Sequence, residues 1–320
     1  MFTNVAGPDD DRPVLLRIER DPAGDVELLS TLLFEAGATG IEERDDATMR
    51  ARWLLAGFPN RLMAAQARRA LPPGCALRAL VEVPDDTWFD GWRAYARAQR
   101  AGQRLIVHPP WVPLSTALVD DDRPPGPDDI VLEIDPGRSF GSGAHPTTRL
   151  VLAELERLVR PGASVLDLGC GSGVLSIGAV RLGAGRVLAV DHDPAALTAT
   201  RSNLARNAIP DGLVEVAAGL PEPVPATHAT HGPDAARPGD LLARPARFDV
   251  VAANIGANTL IALAPTVVRL APTSILSGFF ADRIDEVVDA YRRCDATLSS
   301  TLAGELDGWV ALTLCSGETG

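Results

Sequence analysis

The chain has 320 residues and a formal net charge of −12 at pH 7, and this length allows two domains that each have a core. The excess of acid disfavours non-specific binding to nucleic acid and is compatible with a basic partner, or simply with a solvated acidic surface. No apolar run approaches the roughly 18 residues of a membrane span, the N-terminus is too acidic for a signal peptide, and the four cysteines lack metal spacing. We therefore expect a cytoplasmic monomer with no metal site, no direct nucleic-acid binding and no membrane anchor.

The first part of the chain predicts a small α+β domain. Residues 1–13 are polar and contain Gly and Pro, so we expect a disordered tail. Over residues 14–84 the hydrophobic pattern predicts the order βαββαβ, with the first helix ending at Gly37, which is typical of a ferredoxin-like domain. The predicted strands span 14–18, 39–43, 49–55 and 76–83, and the second helix spans 61–71. No polar cluster suggests catalysis here, so recognition of a partner and plain structural support remain the two alternatives.

Aromatic residues mark the next segment. Trp88, Phe89, Trp92 and Tyr95 recur at i, i+1, i+4 and i+7, which places them on one face of a helix. We predict a linker helix over residues 85–102, with this face either docking two domains or offering a substrate surface. Beyond it, Arg104 to Val107 and Ile130 to Ile134 are predicted to pair as strands.

An irregular stretch from Asp135 to Thr148 combines three glycines, the aromatic Phe140 and several hydroxyl groups. Helical periodicity resumes after it, so Pro146 to Thr148 are predicted to form the first turn of a helix. We expect this loop to fold over a ligand. Helix capping is the alternative role for the threonines, and for His145 capping or packing is favoured over a role as general base.

A glycine-rich turn organises the second half of the chain. The apolar run from Val165 to Leu168 contains Asp167 and leads into Gly169-Cys170-Gly171-Ser172-Gly173, and a helical pattern follows at once. A dinucleotide-binding fingerprint would require glycine where Val174 stands. The carboxylate of Asp167 would repel a pyrophosphate, whereas S-adenosylmethionine carries an ammonium and a sulfonium group. We therefore favour S-adenosylmethionine over NAD(P) and over a turn without a ligand.

The next strand ends at an acid. Arg186 to Val190 lead into Asp191, whose carboxylate would accept hydrogen bonds from both ribose hydroxyls of a nucleoside. NAD sites share this feature, so Asp191 does not discriminate between the two cofactors. Further on, the strand at 248–253 ends at Asn254.

Alternating β and α units to the end of the chain predict a mostly parallel sheet, closed by an antiparallel hairpin at 296–302 and 309–314. Residues 219–247 are rich in Pro, Ala, Gly and His, lack periodicity and predict a surface insertion. Ligands of such sheets bind at the carboxyl ends of the strands. We therefore expect Asp167, Gly169, Asp191 and Asn254 to converge on one cleft.

Four motifs together resemble those of the bacterial methyltransferases of ribosomal protein L-eleven (L11): Asp135–Thr148, Asp167–Gly173, Val190–Pro194 and Ala253–Ile255. Residues 88–100 are also similar to the linker helix of that family. The resemblance implies a Rossmann-like class I methyltransferase domain over 103–320, preceded by a ferredoxin-like domain over 14–84 that recognises the substrate. The chain departs from the family pattern at Ser142, Ala144 and Gly256, and in the length of the insertion.

The resemblance also implies a function. The activity is N-methylation of lysine side chains and of the α-amino group of ribosomal protein L-eleven, with S-adenosylmethionine as cofactor. Positions matching Thr148, Gly169, Asp191 and Asn254 bind the cofactor, and Asp167 and Gly171 join them from the glycine-rich turn.

The reaction itself suggests two further roles. Methyl transfer needs a neutral, aligned amine, which Asn254 would orient and Phe140 would enclose, with water as the base. Asn254 as an ordinary turn residue is the alternative to this role. Two other functions stay open, namely methylation of another protein or a small amine, and cofactor binding without catalysis.

Overall fold

The computed structural model divides into two compact units, residues 1–94 and 95–320. The residues that the structure describes are 14–20, 29, 32–33, 36–38, 40–45, 52–58, 61–71, 76–82, 96–114, 118, 123–135, 141, 143, 145–219 and 248–317. The predicted tail, Phe140, residues 85–95 of the predicted linker helix and nearly all of the predicted insertion lie outside them. Among the helices described, none has the length and apolar character that crossing a bilayer requires.

The first unit contains a four-stranded antiparallel sheet in the order β2-β3-β1-β4. Its elements are β1 (Val14–Arg20), β2 (Gly40–Asp45), β3 (Arg52–Phe58), α1 (Arg61–Ala70) and β4 (Ala76–Glu82). Alternate residues of β1 (Val14, Leu16 and Ile18) are fully buried against β3 and α1, as the two-residue period of a strand requires. The four predicted strands are confirmed, although the third, predicted at 49–55, lies three residues later at Arg52–Phe58. The ferredoxin-like assignment of the whole unit stays a prediction.

The first predicted helix ends where expected. Leu29, Leu32 and Leu33 are helical, and Gly37 follows them with φ +92°. The Ala38 N–H donates to Leu33 O across this glycine, which is the closure of a Schellman motif.

The predicted linker helix is wrong over its last residues. Gln99–Ala101 form strand β5, which pairs antiparallel with β6 (Leu105–His108) around Gly102 at φ +73°. The backbone groups of this segment therefore bond across a hairpin, and a helix through Gly102 is excluded. Strand β7 (Ile130–Glu133) pairs parallel with β6, which confirms the pairing predicted there.

The second unit is built on a seven-stranded sheet in the order β10-β9-β8-β11-β12-β14-β13. Strands β8 to β12 are parallel neighbours, and β14 and β13 continue the sheet antiparallel. The strands are β8 (Ser164–Leu168), β9 (Arg186–Asp191), β10 (Val214–Ala218), β11 (Val250–Asn254), β12 (Thr273–Phe280), β13 (Ser299–Leu306) and β14 (Trp309–Cys315). The helices are α2 (Pro146–Leu158), α3 (Val174–Arg181), α4 (Pro194–Arg206), α5 (Ala257–Leu270) and α6 (Ile284–Cys294). This arrangement confirms the predicted α/β class and the mostly parallel sheet.

Helices cover both faces of this sheet. Leu166 of β8 and Leu188 of β9 pack in a cluster with α5 and α6, whereas their neighbours Val165 and Val187 pack with α2 and α3. Burial on both faces explains why the central strands are continuous apolar runs. The closing hairpin is confirmed, and its second strand begins at Trp309 as predicted. Its first strand spans Ser299–Leu306 instead of 296–302, because a two-residue turn with positive φ at Asp307 and Gly308 lets the pairing continue to Leu306.

Candidate active site

The glycine-rich turn lies between β8 and α3, as predicted. Gly169, Gly171 and Gly173 have φ of +79°, +53° and +80°, values that disfavour other residues. The N–H groups of Gly169 and Cys170 both donate to Val190 O, at 2.9 and 3.0 Å. The turn is therefore attached to the carboxyl end of β9.

Gly169 is also required by a close approach. A Cβ atom at this position would overlap the side chain of Ile255, the residue that follows β11. The N–H of Ile255 donates in turn to Ser277 O of β12 at 3.0 Å. The carboxyl ends of β8 and β11 therefore meet at this glycine, and Ile255 is held by the neighbouring strand β12.

Asp191 holds the turn from the end of β9. Its Oδ2 accepts the N–H of Gly171 at 2.9 Å, and its Oδ1 accepts the N–H of Asp193 at 3.0 Å. The residue is only 7% exposed, and His192 Nδ1 lies 3.3 Å from Oδ1. The structure thus brings Asp191 and Gly171 together, and each carboxylate oxygen keeps lone pairs for further donors.

Asp167 lies beneath the turn rather than on an open surface. It is fully buried, and its Oδ2 accepts both the N–H and the O–H of Ser176, at 3.0 and 2.6 Å, from the first turns of α3. Oδ1 is buried and has no hydrogen-bond partner among the described residues. Burial raises the pKa of this carboxyl to about 7, so it is only partly ionised near neutral pH. The sequence suggested a charged acid directed at the ligand, whereas one oxygen of this group connects β8 to α3.

Thr148 and Asn254, separated by 106 positions, meet at the end of β11. Asn254 Nδ2 donates to Thr148 Oγ1 at 3.4 Å, and Thr148 is fully buried in the first turn of α2. Asn254 Oδ1 is buried as well, and no described atom donates to it. A buried acceptor without a donor is costly, which makes this oxygen the place where a ligand N–H is most favourable.

His145 is a capping and packing residue, as the sequence favoured. It is the N-cap residue of α2, its Nδ1 accepts the N–H of Thr147, and its ring makes an edge contact with Trp309 at 4.7 Å. Desolvation lowers its pKa to about 4, so the ring is neutral at pH 7. Because Nδ1 accepts, the proton of the neutral ring lies on Nε2, and neither nitrogen is a free base.

The roles of Asn203 and Ser172 in this region were not predicted from the sequence. Asn203 of α4, fully buried, donates to Asp135 O and Ser172 O, and Ser172 Oγ donates to Gly141 O at 2.7 Å. These bonds attach the stretch beginning at Asp135 to the glycine-rich turn. The available signal was a pair of asparagines, Asn203 and Asn207, four residues apart on a helical face.

Comparison with known proteins identifies the family. The family model described as ribosomal protein L11 methyltransferase (PrmA) matches residues 61–316. The chain belongs to the ribosomal protein L11 methyltransferase family. A protein of that name from Chloroflexus aurantiacus is 40% identical over 239 residues, covering 72% of this chain and 69% of the relative. Another from Geobacter sulfurreducens is 35% identical over 306 residues, covering 87% of this chain and 90% of the relative.

A solved structure of a member agrees with this fold. The crystal structure of ribosomal protein L11 methylase from Lactobacillus delbrueckii subsp. bulgaricus superposes with a TM-score of 0.53 at 27% identity. It covers 69% of this chain and 99% of the solved chain. Membership of the L11 methyltransferase family confirms the predicted class, an S-adenosylmethionine-dependent methyltransferase.

The polar groups of the site fit the cofactor of an L11 methyltransferase. The two buried oxygens without donors, Asp167 Oδ1 and Asn254 Oδ1, and the carboxylate of Asp191 are all acceptors. S-adenosylmethionine carries two cationic groups and ribose hydroxyls that donate. An acceptor-rich site suits such a ligand and would disfavour a pyrophosphate.

Proposed function

We propose that this protein transfers methyl groups from S-adenosylmethionine to amines of ribosomal protein L11, namely lysine side chains and the α-amino group. The substrate is the one in the printed names of its relatives. The observation that carries the proposal is the buried Oδ1 of Asn254 beside Thr148, to which none of the described residues donates. An amine nucleophile presents N–H donors, which such an oxygen accepts.

The roles of the cofactor-binding residues follow from their contacts. We assign the cofactor to the space bounded by Thr148, Gly169, Gly171, Asp191 and Asn254, with Asp167 Oδ1 as a further acceptor. Asp191 already fixes the Gly171 backbone, so the carboxylate that would bind the ribose also sets the shape of the turn. When bound, the cofactor supplies an electrophilic methyl group on its sulfonium sulfur.

The chain must present a neutral amine to that methyl group. A lysine amine has a pKa of about 10.4 in water, and transfer into a buried site lowers it because the charged form loses hydration. Asn254 Oδ1 would accept one N–H of the amine and so direct its lone pair, and Phe140 would enclose the amine. Such alignment is the main contribution to the rate of an in-line displacement.

A dedicated protein base is not needed in this scheme. His145, which lies beside Thr147 and Trp309, is neutral with its acceptor nitrogen already used. Asp167 Oδ2 already accepts two hydrogen bonds from Ser176, and we assign Oδ1 to the cofactor rather than to the amine. We therefore infer that water removes the proton of the amine before transfer, as desolvation lowers the amine pKa.

We further propose a division of labour along the chain. Residues 14–84 would recognise the ribosomal protein, residues 103–320 would carry the chemistry, and 219–247 would form a surface insertion. The protein would act as a cytoplasmic monomer without direct contact to nucleic acid. The net charge of −12 supports a basic protein substrate, because opposite charge speeds association.

The test is a methylation assay. Ribosomal proteins from cells that lack this enzyme are incubated with the purified chain and S-adenosylmethionine labelled in its methyl group. Label on lysine and α-amino positions of L11 is the expected result. Label on a different protein or on a small amine would contradict the assigned substrate, and cofactor binding without any transfer would indicate a binding module.

A further inference from the structure

Asn203 of α4 and Asn207, the C-cap residue of that helix, make the same kind of contact with the backbone of one segment. Asn207 Oδ1 accepts the N–H of Glu133 at 2.9 Å, and its Nδ2 donates to Glu133 O at 2.7 Å. Asn203 Oδ1 accepts the N–H of Asp135 at 3.0 Å, and its Nδ2 donates to Asp135 O at 2.8 Å. Asn207 is 5% exposed and Asn203 is 0% exposed. Both residues are therefore buried, and both amides stabilise the segment by equivalent hydrogen bonds.

The second bond donated by each amide distinguishes the two residues. Asn207 Nδ2 donates to Asn203 O at 2.8 Å, which is a bond within the end of its own helix. Asn203 Nδ2 donates to Ser172 O at 2.9 Å, which is a carbonyl of the glycine-rich turn. Asn203 alone of this pair therefore connects the segment to the turn.

Ser172 makes a second connection between the same two parts. Its Oγ donates to Gly141 O at 2.7 Å, and its side chain is fully buried. A Cβ at Gly141, where φ is +99°, would lie 2.7 Å from Ser172 Oγ. The turn is thus held against the backbone of Asp135 by Asn203 and against that of Gly141 by its own serine.

The face of α4 also supports the turn directly. Thr200, one turn before Asn203, donates from Oγ1 to Gly171 O at 2.9 Å. A Cβ at Gly173 would lie 2.8 Å from Thr200 Cγ2. The carbonyls of Gly171 and Ser172 therefore both point at α4, and this fixes the direction in which their peptide units face.

We propose that Asn203 is a positioning residue for the cofactor, whereas Asn207 serves only stability. The proposal rests on the proposed function, in which the turn from Gly169 to Gly173 binds S-adenosylmethionine. Asn203 acts by fixing the Ser172 peptide and, through Ser172, the distance of the turn from Asp135 and Gly141. Without that bond the Ser172 peptide loses its link to α4, while the Gly169 and Gly171 ends of the turn keep their own bonds, and cofactor affinity falls.

The matched variants are Asn203→Asp and Asn207→Asp. Each substitution keeps the size and the accepted hydrogen bond, removes the two donated bonds, and places a carboxyl in a buried position. We expect similar decreases in melting temperature for the two. In calorimetric titrations at a temperature where both are folded, S-adenosylmethionine should bind Asn203→Asp roughly tenfold more weakly, a change of about 1.4 kcal/mol. Asn207→Asp should stay within about twofold of the original chain.

Steady-state kinetics add a readout that a merely structural role would not change. The KM for S-adenosylmethionine should rise in Asn203→Asp while the KM for the protein substrate stays the same. If Asn203→Asp does not fold, Ser172→Ala removes only the bond to Gly141 and should weaken cofactor binding about threefold or more. Equal cofactor affinity in the two asparagine variants, or an unchanged affinity in Ser172→Ala, would overturn the proposal.

Cofactor binding by the original chain distinguishes a failure of the proposed function from a failure of the positioning role. If the original chain binds no S-adenosylmethionine, the proposed function is wrong and this proposal is wrong with it. If the original chain binds normally and the asparagine variants bind equally well, only the positioning role is wrong.

Discussion

Two aspartates of this protein accept the same hydrogen bonds in opposite environments, and their comparison predicts how stability depends on pH. Asp167 Oδ2 accepts the N–H and O–H of Ser176, and Asp249 Oδ2 accepts the N–H and O–H of Ser164 at 2.7 and 2.8 Å. Asp167 is fully buried and Asp249 is exposed. Burial raises the pKa of Asp167 to about 7, while the hydrogen bonds from Ser164 hold the pKa of Asp249 below its usual value.

The sign and size of the effect follow from linkage. Between the unfolded pKa of 3.8 and the folded pKa of about 7, the native state binds the proton of Asp167 more tightly than the unfolded chain. Stability therefore falls as pH rises through this window, by about 1.4 kcal/mol per pH unit. From pH 5 to pH 8 the loss is about 3 kcal/mol.

The substitution Asp167→Asn removes this dependence on pH, because an amide cannot ionise and still accepts both bonds from Ser176. Its second polar atom becomes an N–H₂ group where Oδ1 had no partner, at a cost of about 1–3 kcal/mol that does not vary with pH. We therefore expect the free energy of unfolding of the variant, relative to the original chain, to increase by about 3 kcal/mol from pH 5 to pH 8.

Asp249→Asn is the matched control. Because the pKa of Asp249 is lowered, its contribution is present above pH 3.8 and is lost only at lower pH. The cost of this substitution should therefore be the same at pH 5 and pH 8. Urea unfolding of the three proteins without cofactor, at one-unit intervals from pH 5 to pH 8, measures both differences. If the stability difference between Asp167→Asn and the original chain does not change with pH, Asp167 does not have a raised pKa in the folded protein.

Three further predictions concern the site and the two units. Gly169→Ala should abolish cofactor binding and lower stability by about 1–2 kcal/mol or more, because φ is +79° and the added methyl group would overlap Ile255. Adding Ile255→Ala to the same chain should restore part of the lost stability. If thermal melts show no restoration, backbone strain dominates the cost of the substitution. Asp191→Ala should weaken S-adenosylmethionine binding by about 1–3 kcal/mol in calorimetry, because a charged acceptor and the hydrogen bond from the Gly171 N–H are both lost. An unchanged affinity would show that Asp191 does not bind the cofactor. A chain truncated to residues 95–320 should bind the cofactor as before but methylate the ribosomal protein far more slowly. Added salt should also slow methylation of the ribosomal protein by the intact enzyme. If the truncated chain folds and methylates that protein at the full rate, the first unit does not recognise the substrate.

Local patterns predicted the main elements well. The apolar runs that predicted the central strands are those of β8, β9 and β11. The glycines that predicted the turn lie at 169, 171 and 173, directly between β8 and α3. Because these signals lie within a few residues of the elements they predict, those elements depend little on the rest of the chain. The same holds for Gly37 at the end of the first helix and for the alternation of β1. The motifs also sufficed to indicate the family.

The predicted linker helix shows where a local pattern fails. The aromatic period suggested that the helix continues to residue 102, but Gln99–Ala101 bond to Leu105–Val107 instead. A periodic pattern shows which side chains share a face, and it does not show where another strand offers better partners for the backbone. That choice depends on the whole β5-β6-β7 sheet.

Sequence patterns sufficed to predict the α/β order, the glycine-rich turn, the acceptors at the strand ends and the family. The directions in which those acceptors face depend on the packing of the folded chain. Asp167 and Asn254 both occur at the carboxyl ends of parallel strands, yet one is bonded beneath α3 and the other meets Thr148 from 106 positions away. The strands are buried on both faces, so an apolar run gives no sign of which side chain points to a helix and which to the cleft. Asn203 was missed for the same reason, because its role is set by backbone groups at Asp135 and Ser172 that are distant in sequence.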